Sequence, residues 1–336
     1  MTAHCFVVPR LDGPISGGTV YNRELLAELV QRAPLCACEL ASPELAHALQ
    51  SARAVWVDSL YLDALPELRR RTRARIALIV HYLPSFVALE RRAVRSELSQ
   101  EEHRALAAAD AFLVPSAFML DALETLVAPT QKSIFVVEPG TIARLRAPRV
   151  ARHGLDVVLS GNVVQGKGLL PFLRALARVL AADDALALSV IGGLDAEPAY
   201  AQACQALVAN TSVLAERVRF LGMLPAREAL ARLACADLFV SASRMESYGM
   251  ALNEARVLGV PILAHAGGNA AAHVAAEAGG VLLHGDDALA RACVALARDA
   301  ELMRERSAAA RAHAVEPRTW ARAAEELLAQ LATWEK

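Results

Sequence analysis

The sequence is poor in lysine, in patterned cysteine, in net charge and in long apolar runs, and each shortage removes a class of function. Lysine occurs only at Lys132, Lys167 and Lys336, although Lys and Arg together number 35. Against 36 Asp and Glu the formal net charge is −1, with an isoelectric point near 6.8. No overall field therefore draws the chain onto nucleic acid or an anionic membrane. The six cysteines, Cys5, Cys36, Cys38, Cys204, Cys235 and Cys293, contain no CxxC pair and no paired ligand spacing. No metal site is expected, and they read as thiols of a reducing compartment. The longest stretch without Asp, Glu, Lys or Arg runs from Val257 to Ala276. Pro261, Gly267, Gly268 and two histidines interrupt it, so it does not read as a membrane span. The N-terminus, MTAHCFVVPRL, lacks a basic start and a long enough apolar run for a signal peptide, so a cytoplasmic protein is expected.

What is present is apolar bulk. With 336 residues, 55% hydrophobic, the chain can bury two sizeable cores. Flat apolar runs alternate with longer helical patterns. In the first half the runs are Cys5–Val8, Ala54–Val57, Ile76–His81, Ala111–Val114 and Ile134–Val137. In the second half they are Asp156–Leu159, Ala187–Ile191, Val218–Leu221, Leu238–Ser241, Pro261–Ala264 and Val281–Leu283. Runs without polar alternation suit parallel strands covered on both faces. Helical patterns lie between them at Thr19–Gln31, Leu169–Ala181 and Leu230–Ala234. The rhythm predicts an α/β protein with two doubly wound sheets. A polar, Pro-containing segment at Arg144–Gly154 predicts a boundary, with domains at 1–148 and 149–316. Residues 317–336 read as a C-terminal helix, with Pro317 in its first turn and Trp320, Leu327, Leu328 and Leu331 on one face.

Doubly wound sheets bind ligands at the carboxyl ends of their strands, so the loops there carry the functional reading. The first strand leads through Ser16-Gly17-Gly18 into a helix. Glycines there suit either a tight turn or close approach of amides to an anion. The strand at Asp156–Leu159 leads into Ser160-Gly-Asn162-Val-Val-Gln-Gly166-Lys167-Gly168. This is close to a phosphate-binding GxxxxGK loop, but Gly168 stands where a hydroxyl would hold Mg²⁺. In an arginine-preferring chain, a lysine between glycines points to phosphate contact, with an ordinary turn carrying a solvated lysine as the plainer alternative. The third loop, Ser241 to Ala255, holds Glu246 and Glu254 eight residues apart around Tyr248-Gly249-Met250-Ala251. Tyr248 to Ala251 are expected to form a first helical turn whose amides meet a phosphate or sugar hydroxyls. A carboxylate accepts two hydroxyl hydrogens, so the glutamates suit vicinal diols. A capping role for Glu246 and a solvated one for Glu254 are the plainer alternatives.

Ser243-Arg-Met-Glu246-Ser-Tyr-Gly249 through Glu254, followed by Gly259-Val-Pro261 and Gly267-Gly268, resembles the donor-site signature of glycosyltransferase family 4. The resemblance extends in order over most of the chain. It includes Gly17-Gly18, His81 in VHYLP, DAFLVPS at 110–116, Pro139-Gly140-Thr141, Gly166-Lys167-Gly168, VRFLGML at 218–224 and Trp320. It implies a GT-B fold: two Rossmann-like domains facing a central cleft, an acceptor-binding N-domain, a donor-binding C-domain, and a last helix crossing back to the N-domain. It implies a retaining, metal-independent hexosyl transfer from a UDP- or GDP-sugar to a hydroxyl of a glycan, lipid or small molecule. The nucleotide-sugar is a co-substrate, and no cofactor or nucleic-acid partner is expected. His81, Lys167 and Glu246 are the implied catalytic residues. Gly17, Gly18, Asn162, Tyr248, Gly249, Met250, Ala251 and Glu254 are the implied binding residues. Asn162 stands where the family often carries Arg. A nucleotide-sugar epimerase, a P-loop hydrolase and a non-catalytic sugar-nucleotide-binding subunit are the competing readings. Arg69, Arg70, Arg71, Arg73 and Arg75, with Arg91, Arg92 and Arg95 nearby, read first as solvated helix faces. The sharper alternative is peripheral contact with the inner membrane face, or with an anionic acceptor.

Overall fold

The computed structural model describes residues 4–13, 15–89, 98–127, 132–141 and 154–334. The chain divides into unit 1, residues 1–141 with 318–336, and unit 2, residues 142–317. Most of the predicted boundary segment, together with Arg91, Arg92 and Arg95, lies outside the described residues.

Unit 1 is built on six parallel strands: β1 (His4–Val7), β2 (Leu35–Cys38), β3 (Ala54–Asp58), β4 (Arg75–Ile79), β5 (Ala111–Val114) and β6 (Ser133–Val136). Their order is β2-β1-β3-β4-β5-β6, and all pairs are parallel. β3 is buried along its whole length, which is why its sequence shows no polar alternation before Asp58. On one face Phe6 stacks on Trp56 with ring centroids 5.5 Å apart. The C-terminal helix, Trp320–Trp334, closes that core with Ala323, Ala324, Leu327 and Leu331. These residues recur at helical spacing, and Trp320 and Leu328 flank them. The helix begins at Trp320, so Pro317 lies before its first turn. Arg318 carries the entry instead, its carbonyl accepting from the Thr141 N–H at 2.8 Å. Gly140 is required there because a Cβ would come within 2.5 Å of the Trp320 nitrogen.

Unit 2 has six more parallel strands: β7 (Leu155–Ser160), β8 (Leu186–Ile191), β9 (Val218–Gly222), β10 (Leu238–Ser241), β11 (Ile262–His265) and β12 (Val281–Leu283). Their order is β12-β11-β10-β7-β8-β9. Val157 faces a core formed by Leu169, Phe172, Leu173 and Leu176 of the helix Leu169–Val179. Val158, the next residue, faces Phe239, Leu252 and Ala255 on the other side. One strand thus serves two apolar layers, as period-two geometry demands. The buried exception on β7 is Asp156, which receives both Arg232 Nη atoms at 2.8 and 2.5 Å and so does not lie unpaired.

In unit 1 the winding direction reverses between β1 and β3, and in unit 2 between β7 and β10. Loops leaving adjacent strands on opposite sides open a crevice at such a point. The loops after β7 and β10 are those that carry Lys167 and Glu246.

Candidate active site

The loop after β7 is set by backbone contacts that only glycine allows. Gly168 has φ +66, and a Cβ on it would lie 2.1 Å from the Ala242 carbonyl oxygen at the end of β10. The position where a P-loop places a hydroxyl is therefore closed to any side chain, which removes the hydrolase reading. Gly166 accepts from the Arg244 N–H across the same seam. Lys167, held between these contacts, extends to Glu246, with Nζ 2.6 Å from Oε1. The lysine is about one-third exposed and the glutamate less so. Asn162 turns its Oδ1 to the Gly193 N–H at 3.1 Å, so its acceptor oxygen supports the loop after β8.

The loop after β10 is pinned from behind. Glu246 accepts from the Asn269 N–H at 2.7 Å through its carbonyl, leaving its carboxylate to Lys167. Arg244 reaches Asp286 at 3.2 Å, and His265 reaches the same carboxylate at 3.0 Å. Gly249 has φ +92 and caps the helix Met250–Leu258. The expected first turn at Tyr248–Ala251 is thus displaced: the helix starts at Met250. Tyr248 lies before it, 5% exposed, with its ring against His273. Its side chain is core, and the amides at Met250 and Ala251 are the ones at the helix start. Glu254 lies one turn further along. It keeps partial solvent contact, yet the packing around it pushes its carboxyl up to about 7.

In unit 1, His81 lies two residues beyond β4, not on it. Its Nε2 is 3.0 Å from Asn22 Oδ1 and 3.3 Å from Asp58 Oδ2. Both oxygens accept, so Nε2 carries a hydrogen toward them, which leaves Nδ1 as the ring nitrogen not used in this contact. Asn22 in turn donates to Asp58 Oδ2 at 2.5 Å. Burial pushes the Asp58 carboxyl up. Hydrogen bonds from His81, the Leu60 N–H and Asn22 overcome that push and hold it below the usual carboxylate range. Gly18 explains itself here: a Cβ would lie 2.9 Å from the His81 ring. Gly17 and Gly18 open the helix Gly17–Leu29, capped by Ser16, which accepts from the Thr19 N–H.

Sequence reasoning found His81 but missed Asp58 and Asn22. Asp58 was visible as a charge ending a wholly apolar strand. Asn22 had no signal, since one polar residue inside an amphipathic helix is unremarked. The basic cluster is largely structural. Arg69 joins Asp110 at 2.8 Å and two backbone carbonyls. Arg70 pairs with Glu67, and Arg75 lies 5.1 Å over Trp334. Among the described residues no helix is long and apolar enough to cross a membrane.

Residues 154–299 match the family model described as Glycosyl transferases group 1. A D-inositol 3-phosphate glycosyltransferase of Corynebacterium diphtheriae is 32% identical over 213 residues, 58% of this chain and 49% of that protein. A phosphatidyl-myo-inositol mannosyltransferase of Mycobacterium leprae is 33% identical over 190 residues, 54% and 48% of the two. The chain thus spans about half the length of the curated relatives it matches. The solved structure of HepE from Anabaena, in complex with UDP and glucose, superposes with a TM-score of 0.73 at 15% identity, over 99% of this chain and all of that one. The fold is therefore of GT-B type, and residues 154–299 of the second unit are similar to the group 1 glycosyltransferases.

Proposed function

We propose that the protein is a retaining glycosyltransferase that moves a sugar from a nucleotide-diphosphate sugar to an acceptor hydroxyl. The observation that carries this reading is the Lys167–Glu246 pair, 2.6 Å apart on two loops that meet at the switch point of the unit 2 sheet. An ammonium there suits a diphosphate, and a carboxylate beside it suits sugar hydroxyls. The two relatives named above are transferases, which favours transfer over epimerisation.

In the reaction the glycosidic C–O bond breaks with its electron pair going to the diphosphate. The acceptor oxygen bonds to the anomeric carbon and passes its proton to the departing diphosphate oxygen. The chain's task is to meet the charge that develops on the leaving group while the sugar becomes electron-poor. Lys167 and the amides at Met250 and Ala251, at the positive end of a helix, stabilise the diphosphate without a metal ion. Glu246 orients the transferred sugar, and Glu254 receives the ribose diol. His81, through Nδ1, accepts from a hydroxyl of the sugar or the acceptor. Asp58 and Asn22 fix its tautomer. Asn162 contributes through its side-chain amide, and Gly18 serves chiefly to admit the His81 ring.

Peripheral membrane contact is the finer part of the reading. It falls to Arg71 and Arg73, which no intramolecular pair engages among the described residues. Co-sedimentation with vesicles containing anionic lipid, for wild type and for the double alanine variant, tests it. The functional reading itself is tested by a thermal-shift screen of UDP, GDP and their sugars. A ligand at 100 times its Kd stabilises by about 2.7 kcal/mol. A shift followed by sugar transfer supports the reading, and no response to any nucleotide sugar contradicts it.

A further inference from the structure

The donor loop after β10 is held by a pair of buried side chains to which no role is attached. The carbonyl oxygen of Tyr248 receives Asn269 Nδ2 at 2.8 Å and His273 Nε2 at 2.7 Å. Both side chains come from one short turn: Gly268–Ala272 is a 3-10 stretch, and His273 caps it. The same turn donates the Asn269 N–H to the Glu246 carbonyl. Its Gly268, with φ +59, lies so close to Glu246 that a Cβ would meet that carbonyl oxygen at 2.3 Å. The segment from Glu246 to Tyr248 is therefore tethered at both ends to one element. Immediately after it, Gly249 reverses the chain and the helix Met250–Leu258 begins.

The chemistry of His273 fixes what it is doing. A carbonyl oxygen only accepts, so Nε2 must carry the hydrogen. Nδ1 is then a bare acceptor, buried and without a hydrogen-bond partner among the described residues. Burial and the nearby Arg256 guanidinium disfavour the imidazolium and hold the ring down to about 4. The ring also meets the Tyr248 ring edge-on, with centroids 4.8 Å apart. An apolar residue would fill this space without leaving an unsatisfied nitrogen, so the polar atom that bonds the carbonyl is the distinctive contribution.

We propose that His273 is a positioning residue for the nucleotide-sugar site: with Asn269 it holds the Tyr248 carbonyl and so presets the Gly249 turn and the helix-start amides of Met250 and Ala251. The proposal rests on the functional reading above and deepens it. A turn held in its bound geometry beforehand loses less freedom when the diphosphate arrives.

The test compares His273→Ala with His273→Gln by calorimetric titration of UDP and GDP, alongside melting curves. Both substitutions remove the ring contact with Tyr248, so both lower the melting temperature. Only the glutamine keeps an N–H for the carbonyl. The expected result is at least a tenfold loss of nucleotide affinity in His273→Ala, with His273→Gln within threefold of wild type. Asn269→Ala, which removes the second tether, is expected to weaken binding in the same direction and stands in should His273→Ala not fold. Nitrogen NMR of the wild-type ring is expected to show a protonated Nε2 and a bare Nδ1. Equal affinity in all variants, an equal loss in the alanine and glutamine forms, or a hydrogen on Nδ1 would overturn the proposal while leaving the functional reading intact. Wild-type protein that binds neither nucleotide would overturn the functional reading, and this proposal with it.

Discussion

Lys167 and Glu246 neutralise one another across 2.6 Å on two loops that come from different strands of the same sheet. On the proposed function, a cation offered to a diphosphate is thus paired with a carboxylate that a diphosphate repels. The pair is partly exposed, so its own contribution to stability is small. Its consequence is for binding. Lys167→Ala is expected to lower turnover by about 10²–10³ with the fold retained. Glu246→Gln is expected to strengthen nucleoside-diphosphate binding, by about threefold to tenfold, while turnover falls, because the lysine is released and one negative charge is gone. Titration and initial rates on the two variants check this. Weaker nucleotide binding in Glu246→Gln would refute the opposition of roles.

Glu254 gives a pH dependence with a definite sign. Its carboxyl is pushed up to about 7 by burial, so near neutral pH a large share holds a proton. A diol that donates to the ionised form must displace that proton. Affinity for nucleotide should therefore fall as pH drops below 7, approaching about tenfold per pH unit. Calorimetry in buffers of differing ionisation enthalpy should find about one proton released per nucleotide in mildly acid solution, and none well above pH 7. The raised value also means that stability is lost as pH rises from 4.5 to 7, since the folded state binds the proton more tightly. Glu254→Gln should accordingly stabilise the protein above pH 7 by about 1–3 kcal/mol, discounted for partial exposure, and hardly at all near pH 4.

His81 depends on Asp58, which is fully buried, through a 3.3 Å contact and through Asn22. Asp58→Asn is expected to lower turnover by more than tenfold with nucleotide affinity unchanged, because the ring tautomer is no longer fixed. Gly18→Ala should act in the same direction, by driving a methyl group into the ring. Steady-state kinetics and nucleotide titration on both variants test this. A loss of affinity equal to the loss of rate would show instead that these residues hold the donor.

Gly168 separates the glycosyltransferase reading from the P-loop one. Gly168→Ser restores the hydroxyl of a phosphate-binding GxxxxGK[ST] loop, yet it places a Cβ 2.1 Å from the Ala242 carbonyl at φ +66. Destabilisation of about 2 kcal/mol or more is expected, with no gain of nucleoside-triphosphate hydrolysis. Thermal melting and phosphate release check both parts.

Much of this architecture was legible because parallel strands buried on two faces read as bare apolar runs. Eleven of the strands were visible in that way. β2, Leu35–Cys38, was not, because it is a half-buried edge strand rich in cysteine and alanine. Lys167 was legible through its rarity, and the Glu246–Glu254 pair through its loop. What sequence could not provide was contact. Nothing in the spacing announces that Lys167 closes on Glu246, that Tyr248 is core, or that Asn269 and His273 hold its carbonyl. The Asp58–Asn22–His81 group is assembled from β3, the first helix and the loop after β4, which are far apart along the chain.

The position of the diphosphate is decisive. The direct measurement is a crystal structure of the wild-type protein soaked with a UDP- or GDP-sugar. The diphosphate is expected within hydrogen-bond distance of Lys167 Nζ, with the ribose hydroxyls on Glu254. A sugar nucleotide bound with its phosphates away from Lys167, and its ribose away from Glu254, would contradict the proposed function.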